Sequence, residues 1–117
     1  MSGCVLRRVY EKPEAADGTR VPVDRLWPRG IARDKARIDL WLKDIAPSDA
    51  LRKRFHGKTE DWETFRAAYF AELESTAARA AALTLLEPAR KGTVTLLYAA
   101  RDEQRNNAVA LKAWLER

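Results

Sequence analysis

The 117-residue chain has the length of one domain, and its 46% hydrophobic content with four tryptophans excludes a polar, disordered chain. No apolar run approaches the roughly 20 residues of a membrane span, so no membrane partner is expected; the longest run, 80–86, is interrupted by Thr84. The charge balance is moderately basic, +5 from 22 Lys and Arg against 17 Asp and Glu, and fifteen of the cations are arginine, the better fork for phosphate or carboxylate.

In chain order, the segment 5–10 is rich in β-formers and stops before Glu11, Lys12 and Pro13, so a strand is expected, then a surface loop with a turn at Asp17-Gly18. Arg7 and Arg8 lie inside this apolar stretch instead of before it, which is wrong for a secretory signal. The lone Cys4 has no partner for an internal disulfide. Both features lead us to expect a cytoplasmic protein, with Cys4 read as a small buried residue. A second strand is expected over 21–27, running into Pro28-Arg29-Gly30, where proline stops a helix and glycine permits an unusual turn. Over 38–46, Ile38, Leu40, Leu42 and Ile45 suggest a strand, with a helix close behind on pattern alone. Ser48 then serves as N-cap of a helix from Asp49 to about Phe55.

Thr59 or Asp61 can cap the next helix, whose Trp62, Phe65, Tyr69 and Leu73 recur every three or four residues as one apolar face. The alanine- and leucine-rich stretch 75–90 reads as one further helix, kinked or ended by Pro88 and closed by Lys91-Gly92. The run 93–100 is β-rich, continuously apolar and short, which suits a central strand buried on both faces. Asp102 is positioned to cap a final helix packed through Val109, Leu111, Trp114 and Leu115. The order strand, strand, helices, strand, helix predicts a single α/β domain over 1–117, with a small open, largely parallel sheet and helices packed on its faces.

In such sheets ligands sit beyond the carboxyl ends of strands. That rule selects Asp24, Arg25 and Arg29 around the end of the second strand, and Arg101 and Asp102 after the last. Arginines there can grip a phosphate or carboxylate bidentately, while Asp24 or Asp102 orients a hydroxyl or acts as general base. Asp24 and Arg25 reach one pocket only if the chain turns at this point, because strand neighbours face opposite sides. The alternative is that Asp24 with Arg25, and Asp102 with Arg101, form internal networks that fix the loops.

His56 lies among Arg52, Lys53, Arg54 and Lys58, whose charge disfavours its protonation, and it is either an acid/base or phosphate-binding group or a cap or surface contact. The same cluster suits nucleic acid, with Trp27, Trp41 or Trp62 as stacking platforms, although core packing also accounts for those rings. A homodimer through the last helix is a third reading.

The segment 23–30, the segment 41–48, Leu51, Arg52, His56, the helix 62–73 and the segment 95–102 with Asn107 closely resemble the bacterial YeaO-like proteins, which carry the domain of unknown function 488. Arg54 departs from the family pattern, in which a tryptophan commonly precedes Phe55. The resemblance implies an α/β fold and adds Lys43, Arg52 and Asn107 to Arg25, Trp27, Arg29 and Arg101 as ligand-binding candidates; it implies no substrate and no reaction.

Some chemistry is not expected. With one histidine and one cysteine far apart, zinc spacings are absent, and no metal or cofactor is expected. The five glycines form neither a dinucleotide fingerprint nor a P-loop, and no Gly-x-Ser-x-Gly elbow occurs. The working expectation is a site for an anionic, phosphate-bearing ligand such as a nucleotide, with nucleic-acid binding as the alternative.

Overall fold

A computed structural model describes residues 3–56 and 61–117, apart from the His56 side chain. Three strands among the described residues, β1 (Val5–Arg8), β2 (Thr19–Pro22) and β3 (Val94–Tyr98), form a parallel sheet in the order β1–β3–β2. The register pairs Leu6 with Leu96 on one side and Val21 with Leu96 on the other. All five residues of β3 are buried, as its continuous apolar run requires of a strand covered on both faces.

The two faces of the sheet are covered differently. Val94, Leu96 and Tyr98 face a core that includes Leu51, Phe65, Tyr69, Leu73 and Leu111, from the helices α2 (Asp49–His56), α3 (Trp62–Leu73) and α6 (Asn107–Leu115). The other face carries Arg7, Thr95, Leu97 and Arg20 by alternation. It is covered by the β1–β2 loop and by the short helix α1 (Arg33–Ala36), whose Ala36 carbonyl accepts from Arg20 Nε at 3.2 Å.

On that second face Asp17 is the pivot. Arg7 Nη1 donates to both of its carboxylate oxygens at 2.7 and 2.8 Å, and Arg20 Nη1 donates at 2.5 Å. Burial by itself raises the Asp17 carboxyl. The Glu14 N–H and the Arg7 and Arg20 guanidiniums outweigh it and hold the group below its ordinary value of 3.8. The loop then passes the start of β3 so closely that a Cβ on Gly18 would lie 2.2 Å from the Thr93 carbonyl oxygen; Gly18 also has φ 63°. Only glycine fits there.

The structure shifts several expected boundaries. β2 ends at Pro22, so Asp24 and Arg25 stand beyond the strand in a bend, which supplies the turn both need to reach one side. The segment 38–46 is neither strand nor helix beyond a 3₁₀ turn at Lys43–Ile45. Its backbone is claimed elsewhere: the Asp39 and Leu40 N–H groups both donate to the Arg20 carbonyl. Ser48 does cap α2, its Oγ accepting from Leu51 N at 3.2 Å, and Asp61 caps α3 by accepting from Thr64 N. Thr59 lies outside the described residues.

The stretch 75–90 divides into α4 (Thr76–Leu83), capped by Ser75, and α5 (Leu86–Lys91). The break falls before Pro88, which occupies the first turn of α5, where its missing N–H leaves no bond unmade. The cap of α6 is Asn106, accepting from Val109 N at 3.0 Å, and not Asp102. Asp102 instead accepts from Gln104 N and Arg105 N, building a turn that delays the helix by four residues. No helix among the described residues is long and apolar enough to cross a membrane.

Candidate functional site: an arginine-rich cleft beyond β2 and β3

A cleft of about 630 Å³ opens at the carboxyl ends of β2 and β3, walled by α2, α3 and the segment leading into α6. Six of the residues singled out from the sequence line it: Asp24, Arg25, Arg52, Arg101, Asp102 and Asn107. The two strand-end motifs therefore meet. Asp24 Oδ2 accepts the Ala99 N–H at 2.9 Å, so a side chain takes over the ladder where β2 has ended.

The carboxylates and the arginines of the cleft are held in opposite ways. Besides the Asp24 bond, Asp61 Oδ1 accepts from Thr64 N at 2.8 Å, and Asp102 Oδ1 accepts from Gln104 N and Arg105 N at 2.9 and 3.0 Å. The Gln104 and Arg105 N–H groups hold the Asp102 carboxyl below its ordinary range, and the Thr64 N–H does the same for Asp61. These acids are committed to the backbone.

The arginines are not committed to acids. Arg25 donates from Nε to the Pro47 carbonyl and from Nη2 to the Ala46 carbonyl, both at 3.4 Å, the outer limit of a hydrogen bond. Arg101 and Arg105 are exposed and make no ion pair among the described residues. Arg52 reaches Asp49 only at 3.6 Å, and its buried Nε makes no hydrogen bond among the described residues.

Four sequence candidates lie elsewhere or beyond description. Trp27 and Lys43 belong to a separate surface cluster: Trp27 meets Trp41 edge to face at 5.3 Å, and the Arg33 guanidinium lies 4.4 Å from the Trp27 ring centre. Lys43 Nζ sits 4.2 Å over the Trp41 ring. Arg29 is exposed and does not line the cleft. The cluster is joined to the cleft by a bond from Trp41 Nε1 to the Asp24 carbonyl at 2.8 Å. His56 ends α2, but its side chain lies outside the described residues.

The sequence reading missed Phe55, Arg105 and Asn106 and did not place Trp62 in the site. Arg105 follows Arg101 by four residues, a signal obscured by starting the helix at Asp102. Among the described residues no group of three His, Cys, Asp or Glu side chains could hold a metal ion.

A family model described as "Inactive DUF488-N3 subclade" matches residues 4–117. The chain belongs to the YeaO-like DUF488 family. Among its relatives, the uncharacterized protein YeaO of Escherichia coli (strain K12) is 45% identical over 109 residues, 93% of each chain. The uncharacterized protein Rv3073c of Mycobacterium tuberculosis (strain ATCC 25618 / H37Rv) is 40% identical over 104 residues, 89% of this chain and 86% of its own. No solved structure matches.

Proposed function

We propose that the cleft binds a small phosphate-bearing anion, such as a nucleotide, without turning it over, in the cytoplasm. One observation carries the reading: Arg25, Arg52, Arg101 and Arg105 share the cleft while its described carboxylates are occupied by backbone N–H groups. Guanidiniums held only loosely by acids, as in the 3.6 Å Arg52–Asp49 pair, beside a concave, partly apolar surface favour an incoming oxyanion. Arg25 can leave two weak carbonyl contacts at little cost, and the orphaned Arg52 Nε gains a partner.

Binding without chemistry fits two facts. An Asp102 carboxyl held below its usual range is a weak base at neutral pH. The family description also calls the subclade inactive. The cytoplasmic assignment draws on the single, buried, free Cys4.

A thermal-shift series tests this, using inorganic phosphate, sugar phosphates, nucleotides and short nucleic acids at low and moderate salt. The expected result is a saturable rise with a small phosphate compound that Arg101→Ala abolishes. That variant should melt like the wild type without ligand, because Arg101 is exposed and makes no ion pair among the described residues. A rise only with nucleic acid, fading with salt, would overturn the small-molecule reading.

A further inference from the structure

Resting on the anion-binding reading above, we infer that the ligand also carries a planar heteroaromatic ring and a hydrogen-bond donor, so that the cleft selects a mononucleotide over a sugar phosphate or a simple anion. The first ground is the aromatic part of the lining. Phe55, Trp62 and Phe65 all line the cleft. Phe65 stacks on Phe55 at 4.3 Å and on Trp62 at 5.8 Å, with interplanar angles of 23° and 24°.

Phe65 is fully buried, whereas Phe55 and Trp62 keep part of their surface exposed. An inorganic anion would leave that aromatic surface wet, and a cleft of about 630 Å³ largely filled with water. A flat ring laid against it removes apolar area from water and stacks, as bases do on aromatic side chains.

The second ground is independent of the aromatic wall. Asn107 is 9% exposed, lines the cleft and donates Nδ2 to the Val23 carbonyl at 2.9 Å. A carbonyl can only accept, so the amide nitrogen must face Val23 and Oδ1 is the atom left to offer. Oδ1 has no hydrogen-bond partner among the described residues. A fixed acceptor does nothing for a phosphate; it matches a base N–H or a ribose hydroxyl. Phosphate on the arginines, ring on Trp62 and Phe55, and a donor to Asn107 together describe one nucleotide.

Calorimetric titration of the wild-type chain with adenosine 5′-monophosphate, ribose 5-phosphate, inorganic phosphate and adenosine decides the matter. The nucleotide is expected to bind at least about tenfold more tightly than ribose 5-phosphate, the scale of one base stack. Trp62→Leu should reduce nucleotide affinity by a similar factor and leave ribose 5-phosphate unchanged. Equal binding of nucleotide and sugar phosphate by the wild type overturns the ring inference while the anion reading stands, even if the variant fails to fold. Adenosine binding as tightly as its phosphate overturns the anion reading, and no binding by any of the four overturns both.

Discussion

The Asp24 carboxylate accepts the Ala99 N–H at 2.9 Å, joining two segments 75 residues apart in the chain. This bond turns the chain out of β2, and it brings Arg25 to the same cleft as Arg101 and Asn107. The Trp41 indole holds the same residue from behind, through the Asp24 carbonyl.

The Asp24 bond yields a graded prediction. Asp24→Ala leaves the Ala99 N–H without its acceptor and should cost about 1–3 kcal/mol, read as a melting point several degrees lower. Asp24→Asn keeps an oxygen in place and should lose less than half as much. Equal losses would show that the negative charge, and not the bond to Ala99, fixes the turn.

Helix capping separates two neighbouring residues. Asn106 accepts from Val109 N and donates Nδ2 to the Asp102 carbonyl at 2.8 Å, so Asn106→Ala removes the α6 cap and a loop tie together. The expected cost is about 1–2 kcal/mol. Asp102→Ala loses an exposed turn and should cost clearly less in the same melting experiment. The reverse order would contradict the assignment of Asn106 as cap.

The Asp17 cluster makes stability depend on pH in a defined direction. Asp17→Asn strips the buried Arg20 of its counter-charge and should destabilise by about 3 kcal/mol at neutral pH. The folded Asp17 pKa lies below its ordinary 3.8, so its contribution is complete above that value and is lost as pH falls through the lower folded value. The gap between wild type and Asp17→Asn, followed by urea unfolding, should hold steady from pH 7 to about pH 5 and close below pH 3.8. A gap that persists or widens in acid would contradict the pairing.

What could be read from the sequence divides along physical lines. β3 and α3 were legible because their signals are local: an unbroken apolar run and a three-to-four spacing that ends with Phe65, Tyr69 and Leu73 buried. The arginines beyond β2 and β3 were legible for a topological reason, since parallel sheets place their ligands at that edge.

The segment 38–46 was not legible, because its partners, the Arg20 and Asp24 carbonyls, are fixed only in the folded chain. The same holds for Asp17, whose pairing with Arg7 and Arg20 needs the loop laid across the sheet. Asp102 and Asn106 are equally good caps on paper. The Asp102 turn decides between them, and with that choice Arg105 enters the cleft.

The most direct test of the cleft is a ¹H–¹⁵N correlation titration of the folded chain with adenosine 5′-monophosphate. The account predicts saturable shifts centred on the amides of Asp24, Arg25, Ala99 and Arg101 to Asn107, with the Trp62 indole following. Shifts confined to the Trp27 and Trp41 surface, or no shifts at millimolar ligand, would contradict it.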